Sequence, residues 1–287
     1  MIGVPEEQVE KTNDGQPGAG RETSDYEPGN DLSNIKRVVA VMSGKGGVGK
    51  SSVTALLAAT LARGEHRVGV LDADITGPSI PKMFGLRDRP QGFENILFPP
   101  ASERLGVRVM SMNLLLPSEN EPVIWRGPLI GGVIKQFWRD VVWGDLDYLL
   151  VDLPPGTSDA PLTVMQSLPL DGLVIVSSPQ ELAVMVVRKA FRMAEIMKTP
   201  ILGLIENMTF LICPDCGKKI LAFGPPQGAK VAVETGVELL ATLPLDPELS
   251  RLTDAGRIED YAATELENVP KMLAKRWAIT RDPVSSS

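Results

Sequence analysis

Residues 34–281 alternate between two textures of apolar and polar positions. Short unbroken apolar runs, such as Tyr148-Leu149-Leu150-Val151 and Leu173-Val174-Ile175-Val176, lack the in–out period of a half-buried strand. They read as strands covered on both faces. Longer stretches with helical spacing separate them. The pattern predicts strands over 37–42, 68–72, 107–111, 147–152, 172–177, 201–206 and 239–243. It predicts helices over 50–63, 128–142, 160–168, 180–198, 226–237, 247–254 and 264–276. Doubly covered strands separated by helices imply an α/β fold, a mostly parallel central sheet with helices on both faces and right-handed crossovers. Ligands of such sheets gather at the carboxyl ends of the strands. No Gly/Pro/Ser-rich linker interrupts 34–281, so one domain is expected, with the Pro-rich stretch 78–100 as a surface loop.

Composition narrows the classes. A hydrophobic content of 43% with only 5% aromatics suits an α/β enzyme built on Val, Leu, Ile and Ala. Residues 1–33 carry eight acids against two bases, a net −6 of the chain's −7, which leaves −1 for the remainder. Poor in apolar residues, 1–33 is expected to be a disordered acidic tail, and 282–287 a flexible C-terminus. A near-neutral body has no basic face for phosphate backbones, so no nucleic-acid partner is expected. No run approaches a membrane span, and the acidic N-terminus lacks the basic and apolar regions of a signal peptide. Two cysteines three positions apart are not a disulfide framework. The chain is expected to be cytoplasmic, with no membrane partner.

Chemistry enters at Gly44 to Ser51, which read GKGGVGKS between the apolar run 38–42 and the helical run 52–59. This is the phosphate-loop pattern G-x-x-x-x-G-K-S/T in its strand–loop–helix setting, and it predicts a P-loop NTPase. Gly44, Gly46, Gly47 and Gly49 allow a tight turn whose amides, with that of Val48, point at a polyphosphate. The positive end of the following helix, through Ser51 and Ser52, adds to the attraction. Lys50 is expected on the β- and γ-phosphates and the Ser51 hydroxyl on Mg²⁺. Lys45, a second lysine inside the loop, is either solvated or aimed at a neighbouring subunit's nucleotide. Asp72 and Asp74 leave the strand 68–72 as a carboxylate pair able to hold Mg²⁺ waters and orient an attacking water, or else as a capping or turn pair. Asp152 closes another apolar strand in the Walker-B manner, a further Mg²⁺ candidate, and leads into the stiff loop Leu153-Pro154-Pro155-Gly156-Thr157.

Cys213-Pro214-Asp215-Cys216-Gly217 holds both cysteines of the chain. C-x-x-C spacing lets two thiolates face one ion or one cluster edge. A redox pair, a zinc half-site, two unliganded structural cysteines and a shared cluster site all fit that spacing. Zinc wants four ligands, and the one histidine, His66, reads as a solvated loop residue far along the chain. Two subunits that each supplied Cys213 and Cys216 would present four thiolates, a set suited to a 4Fe–4S cluster.

The Lys45-bearing loop, D-A-D at 72–74 and D-L-P-P-G at 152–156 together resemble the deviant Walker A ATPases, among them MinD, ParA, the arsenite pump ATPase and the nitrogenase iron protein. That resemblance implies a homodimer in which Lys45 crosses to the partner's nucleotide, with Asp74 positioning water and Asp152 supporting Mg²⁺. It also implies an adenine contact for Asn207 and favours ATP over GTP; no N-K-x-D guanine motif is present. Over 36–250 the chain more closely resembles the Mrp/ApbC family of iron–sulfur cluster carrier ATPases, through MSGKGGVGKSS, LDADITGPSIPKMFG, VIWRGP, LDYLLVDLPPGTSD, SSPQELAV and GLIENMTFLICPDCG. E-N-M followed shortly by C-P-x-C separates that family from MinD and ParA. Membership implies that Cys213 and Cys216 bind a labile bridging cluster, received from a donor and passed to apo-proteins, and that Lys45, Lys50 and Asp74 serve ATP hydrolysis. Thr76, where the family commonly has tyrosine, and the 223–228 run depart from the pattern. A MinD/ParA-type positioning ATPase, with 271–277 as a weak membrane helix, and a zinc-stapled dimeric ATPase are the alternatives.

Overall fold

A computed structural model describes residues 29–75, 77, 79–93, 96–116, 127–157 and 159–281; for 127–128, 181–186 and 279–281 it describes the backbone alone. Seven strands form one parallel sheet: β1 (Val38–Ser43), β2 (Val68–Asp72), β3 (Arg108–Ser111), β4 (Tyr148–Asp152), β5 (Gly172–Ser177), β6 (Ile201–Glu206) and β7 (Leu239–Thr242). Their order is β7-β6-β5-β1-β4-β2-β3, with every neighbouring pair parallel. The helices are α1 (Lys50–Arg63), α2 (Ile80–Met83), α3 (Gly127–Asp140), α4 (Asp159–Ser167), α5 (Glu181–Ile196), α6 (Gly228–Thr235), α7 (Pro247–Asp254) and α8 (Val269–Arg281).

Side-chain alternation along β1 shows why its sequence is continuously apolar. Val39 and Val41 enter one core with α1 and α8, whereas Val38, Ala40 and Met42 enter a second core with α3, α4 and α5. All six residues of β1 are buried. Truncating a fully buried member such as Leu150 to alanine costs about 2–5 kcal/mol through lost transfer energy and the cavity left behind. From β1 the chain passes to β2, β3 and β4 on one side and to β5, β6 and β7 on the other. The carboxyl end of β1 is therefore the switch point at which ligands of such sheets bind.

Each expected strand is present within one residue of its expected bounds. Stretch 78–100 differs from the expected surface loop. It holds α2, whose Ile80 and Met83 are buried with the adjoining Phe84, and an antiparallel ladder of Gln91–Phe93 with Ile96–Phe98. Elements of three or four residues are too short to carry a readable period. Pro270 places the start of α8 near 269, and 264–266 is a separate helical turn, so the expected helix over 264–276 is displaced. Of the expected disordered tail, 1–28 lies outside the described residues, as do 282–287 and Thr76. Residues 29–33 are held: Asn30 Nδ2 donates to the Arg139 carbonyl at 3.1 Å and the Trp143 amide donates to Ser33 Oγ at 2.9 Å.

Candidate functional site

Loop 44–49 joins β1 to α1. Gly47 and Gly49 have φ of +80° and +79°, a region L side chains seldom enter. A Cβ on Gly49 would also lie 2.3 Å from Asn207 Nδ2, so backbone and packing both demand glycine there. The first turn of α1 has no acidic residue, and no side chain caps it. Its first-turn amides and dipole therefore favour an anion in front of the loop.

Asp152 is the hub behind that loop. Fully buried, it faces Lys50 Nζ at 2.7 Å through Oδ2, and Ser51 Oγ donates to the same oxygen at 2.5 Å. Thr54 Oγ1 donates to Asp152 Oδ1 at 2.7 Å and also lies 3.0 Å from the Lys50 carbonyl. Asp72 is the register partner of Asp152 on the adjacent strand. Burial, and then the Asp152 charge, push the Asp72 carboxyl up to about 8. The Ser79 and Ile80 amides donate to Oδ2 at 3.0 and 3.2 Å, and the Ile80 hydrogen bond opposes that shift. Asp72 therefore caps the short helix α2, one of the two roles expected of the Asp72–Asp74 pair. Ser51 Oγ with the two carboxylates is an all-oxygen donor set of the kind Mg²⁺ takes, and a divalent cation would relieve the repulsion that raises Asp72.

Asp74 is half-buried; its amide donates to Asp72 Oδ1 at 3.3 Å and its charge acts on Asp72. The loop after Asp152 lies against the phosphate loop. Gly156 N donates to the Ser43 carbonyl at 3.0 Å, and Pro155 borders Gly46. Lys45 is half-buried, and its Nζ donates to Gln180 Oε1 at the start of α5. Ser52 is half-buried on the first turn of α1. Asn207 follows β6 and is buried, with Nδ2 donating to the Val48 carbonyl at 2.9 Å.

Cys213 and Cys216 close a turn at the tip of a small antiparallel ladder, Leu211–Ile212 with Lys219–Ile220. Cys213 N donates to the Lys218 carbonyl and Gly217 N to the Cys213 carbonyl, both at 2.9 Å, while Gly217 takes φ +69°. The Cys216 and Asp215 amides, with the Cys216 thiol, hold the Cys213 thiol below its ordinary value. That favours the thiolate, the form that binds metal. Among the described residues no third His, Cys, Asp or Glu joins the pair. His66, in a loop and partly exposed, packs edge-on against Tyr148 with ring centroids 5.2 Å apart.

A family model described as the NUBPL iron-transfer P-loop NTPase (ParA) matches residues 34–277, spanning the phosphate loop, both carboxylates and the cysteine turn. The chain belongs to this family. It is 46% identical over 242 residues to the iron-sulfur cluster carrier protein of Clostridium perfringens, covering 82% of this chain and 85% of that protein. The carrier protein of Methanocaldococcus jannaschii is 46% identical over 251 residues, covering 85% and 86%. A nucleotide-binding protein from Archaeoglobus fulgidus, solved in complex with ADP and with cobalt found by PIXE, superposes with a TM-score of 0.74. It is 48% identical, over 81% of this chain and 91% of that one. MinD of Pyrococcus horikoshii shares the fold at a TM-score of 0.62 and 19% identity, over 88% of this chain and 100% of that one. Its likeness concerns the fold alone.

Three residues of the site escaped sequence reasoning, and a fourth lies beside it. Thr54 lies four positions after Lys50 and so on the same helix face, a spacing that could have flagged it. Ser111, whose hydroxyl lies 3.3 Å from Asp72 Oδ2, ends a neighbouring strand with no local signature. Gln180 meets Lys45 only in three dimensions. Glu206 is an acid ending an apolar strand beside the already noted Asn207, a signal of the same type as Asp152.

Proposed function

We propose that the protein is a homodimeric ATPase that carries a 4Fe–4S cluster between two subunits, receives it from a donor and delivers it to apo-proteins in the cytoplasm. The observation that carries this reading is the pairing, in one member of an iron-transfer family, of a complete phosphate loop with a two-cysteine turn that no third ligand among the described residues joins. A two-thiolate turn is half of a four-thiolate site, and a two-fold partner supplies the other half. The names and bound ADP of the relatives support the cargo and the nucleotide.

On nucleotide binding, the Gly46–Ser52 segment cradles the phosphates and Lys50 exchanges the Asp152 carboxylate for phosphate oxygens. Ser51, Asp72 and Asp152 would hold Mg²⁺, which neutralises charge developing on the transferred phosphoryl group. Asp74 orients the attacking water, Asn207 contacts the adenine, and Lys45 leaves Gln180 to reach across the dimer axis. Metal analysis of anaerobically purified protein tests the reading. Iron and sulfide at about four per dimer are expected, with loss of the brown chromophore but not of nucleotide binding in Cys213→Ala. Zinc at the same cysteines, or a full cluster in the Cys213→Ala variant, would overturn it.

A further inference from the structure

Residues 207–227, which carry the cysteine turn, leave the sheet and return to it at one place. The outgoing limb starts at Asn207, whose amide donates to the Ser177 carbonyl and whose side chain holds Val48 of the phosphate loop. The returning limb ends at Gln227, whose amide donates to Glu206 Oε1 at 2.8 Å. Pro225 and Pro226, just before it, have no N–H to give. Glu206 and Asn207 are consecutive, so one peptide unit touches the nucleotide loop on one side and the return of the cysteine loop on the other.

The chemistry of Glu206 is unusual for a packing residue. The side chain is buried, with 1% exposed, at the end of an otherwise apolar strand. Its second oxygen, Oε2, is buried without a hydrogen-bond partner among the described residues. A leucine there would fill the space without the desolvation cost of a carboxylate. A buried polar group left half-satisfied in this way calls for an explanation. The beginning of α6 is matched to it, since a Cβ on Gly228 would stand 3.0 Å from Oε2 and 3.2 Å from Glu206 Cβ. The start of α6 therefore packs directly against the Glu206 side chain.

We propose that Glu206 is the positioning residue that couples the phosphate loop to the cysteine turn: its carboxylate clamps the returning limb at Gln227 and passes on any shift of Asn207 when nucleotide engages the loop. Nucleotide binding thereby changes the exposure of Cys213 and Cys216. The inference deepens the carrier reading and rests on it for its purpose, but its test needs no cluster.

Alkylation rates of Cys213 and Cys216 are measured by mass spectrometry in the metal-free full-length chain, with and without ATP and Mg²⁺. Affinity for a fluorescent ATP analogue is measured alongside. In the wild type, nucleotide is expected to change the rate at least about fivefold, the lower end of ordinary site-to-site coupling. Glu206→Leu, which removes the acceptor, is expected to leave less than about a twofold change with unaltered nucleotide affinity. Glu206→Gln keeps an oxygen for the Gln227 amide and is expected to restore the response. Should Glu206→Leu not fold, Gly228→Ala crowds Oε2 and is expected to weaken the response likewise. A wild type whose thiols ignore nucleotide would overturn the inference while leaving the carrier reading to the metal analysis. It would equally be overturned by a Glu206→Leu protein that responds fully, or by a Glu206→Gln protein that responds as weakly as the leucine variant.

Discussion

Asp152→Asn isolates the buried charge pair beneath the phosphate loop. Lys50 and Asp152 have side-chain exposures of 5% and 0% and meet at 2.7 Å. Removing one member of such a pair costs about 3–5 kcal/mol, because the remaining charge is buried without a partner. Two features reduce that here. Thr54 can turn its hydroxyl proton to the Lys50 carbonyl at 3.0 Å and accept from the new amide instead. Asp72, next door on β2 and held up by burial and then by the Asp152 charge, ionises more readily once that charge is gone, and its charge attracts Lys50. A loss of about 2 kcal/mol therefore remains, a fall in Tm of roughly 4–8 °C for a domain of this size. Melting is followed by circular dichroism without nucleotide, for wild type, Asp152→Asn, Lys50→Met and the double variant. The double variant is expected to be more stable than the sum of the single effects allows, by at least about 1 kcal/mol. Strict additivity, or an unchanged Tm in Asp152→Asn, would refute the pair as a stabilising contact.

Three other outcomes follow from the same geometry. Thr54→Val keeps the shape of the side chain but removes a donor to Asp152; a loss of about 1 kcal/mol is expected in urea titrations at unchanged m-value. Gly49→Ala combines a left-handed backbone with a Cβ 2.3 Å from Asn207 Nδ2, and is expected to abolish ATP-analogue binding, read by fluorescence titration. Asp147 is held below its ordinary value by the Lys36 ammonium and then by the Arg67 amide. Its contribution is present above the unfolded carboxylate range near pH 4 and is lost as pH falls through the lower folded value, so Asp147→Asn should flatten the acid limb of the stability–pH curve.

What was legible in the chain divides by the range of the interaction. Val38–Met42 and Tyr148–Val151 could be read as doubly buried strands because their apolar runs are contiguous. GKGGVGKS could be read because a phosphate loop is made by consecutive backbone amides. Asp152 and Asp72 could be noted because each ends such a strand. Stretch 78–100 was misread, since α2 is one turn long and is held by Asp72, a cap that arrives from another strand.

The sequence alone determined the layered parallel sheet, the nucleotide loop and the two-thiolate turn, because each depends on residues close together in the chain. Only the tertiary structure decided how they meet. Parallel registration of β2 beside β4 sets two buried carboxylates side by side and thereby raises Asp72. The approach of β6 to β1 through β5 brings Asn207 onto Val48 and leaves Glu206 holding Gln227. Those contacts join residues scores of positions apart, and their energies depend on burial and exact facing, which no local pattern of residue types encodes.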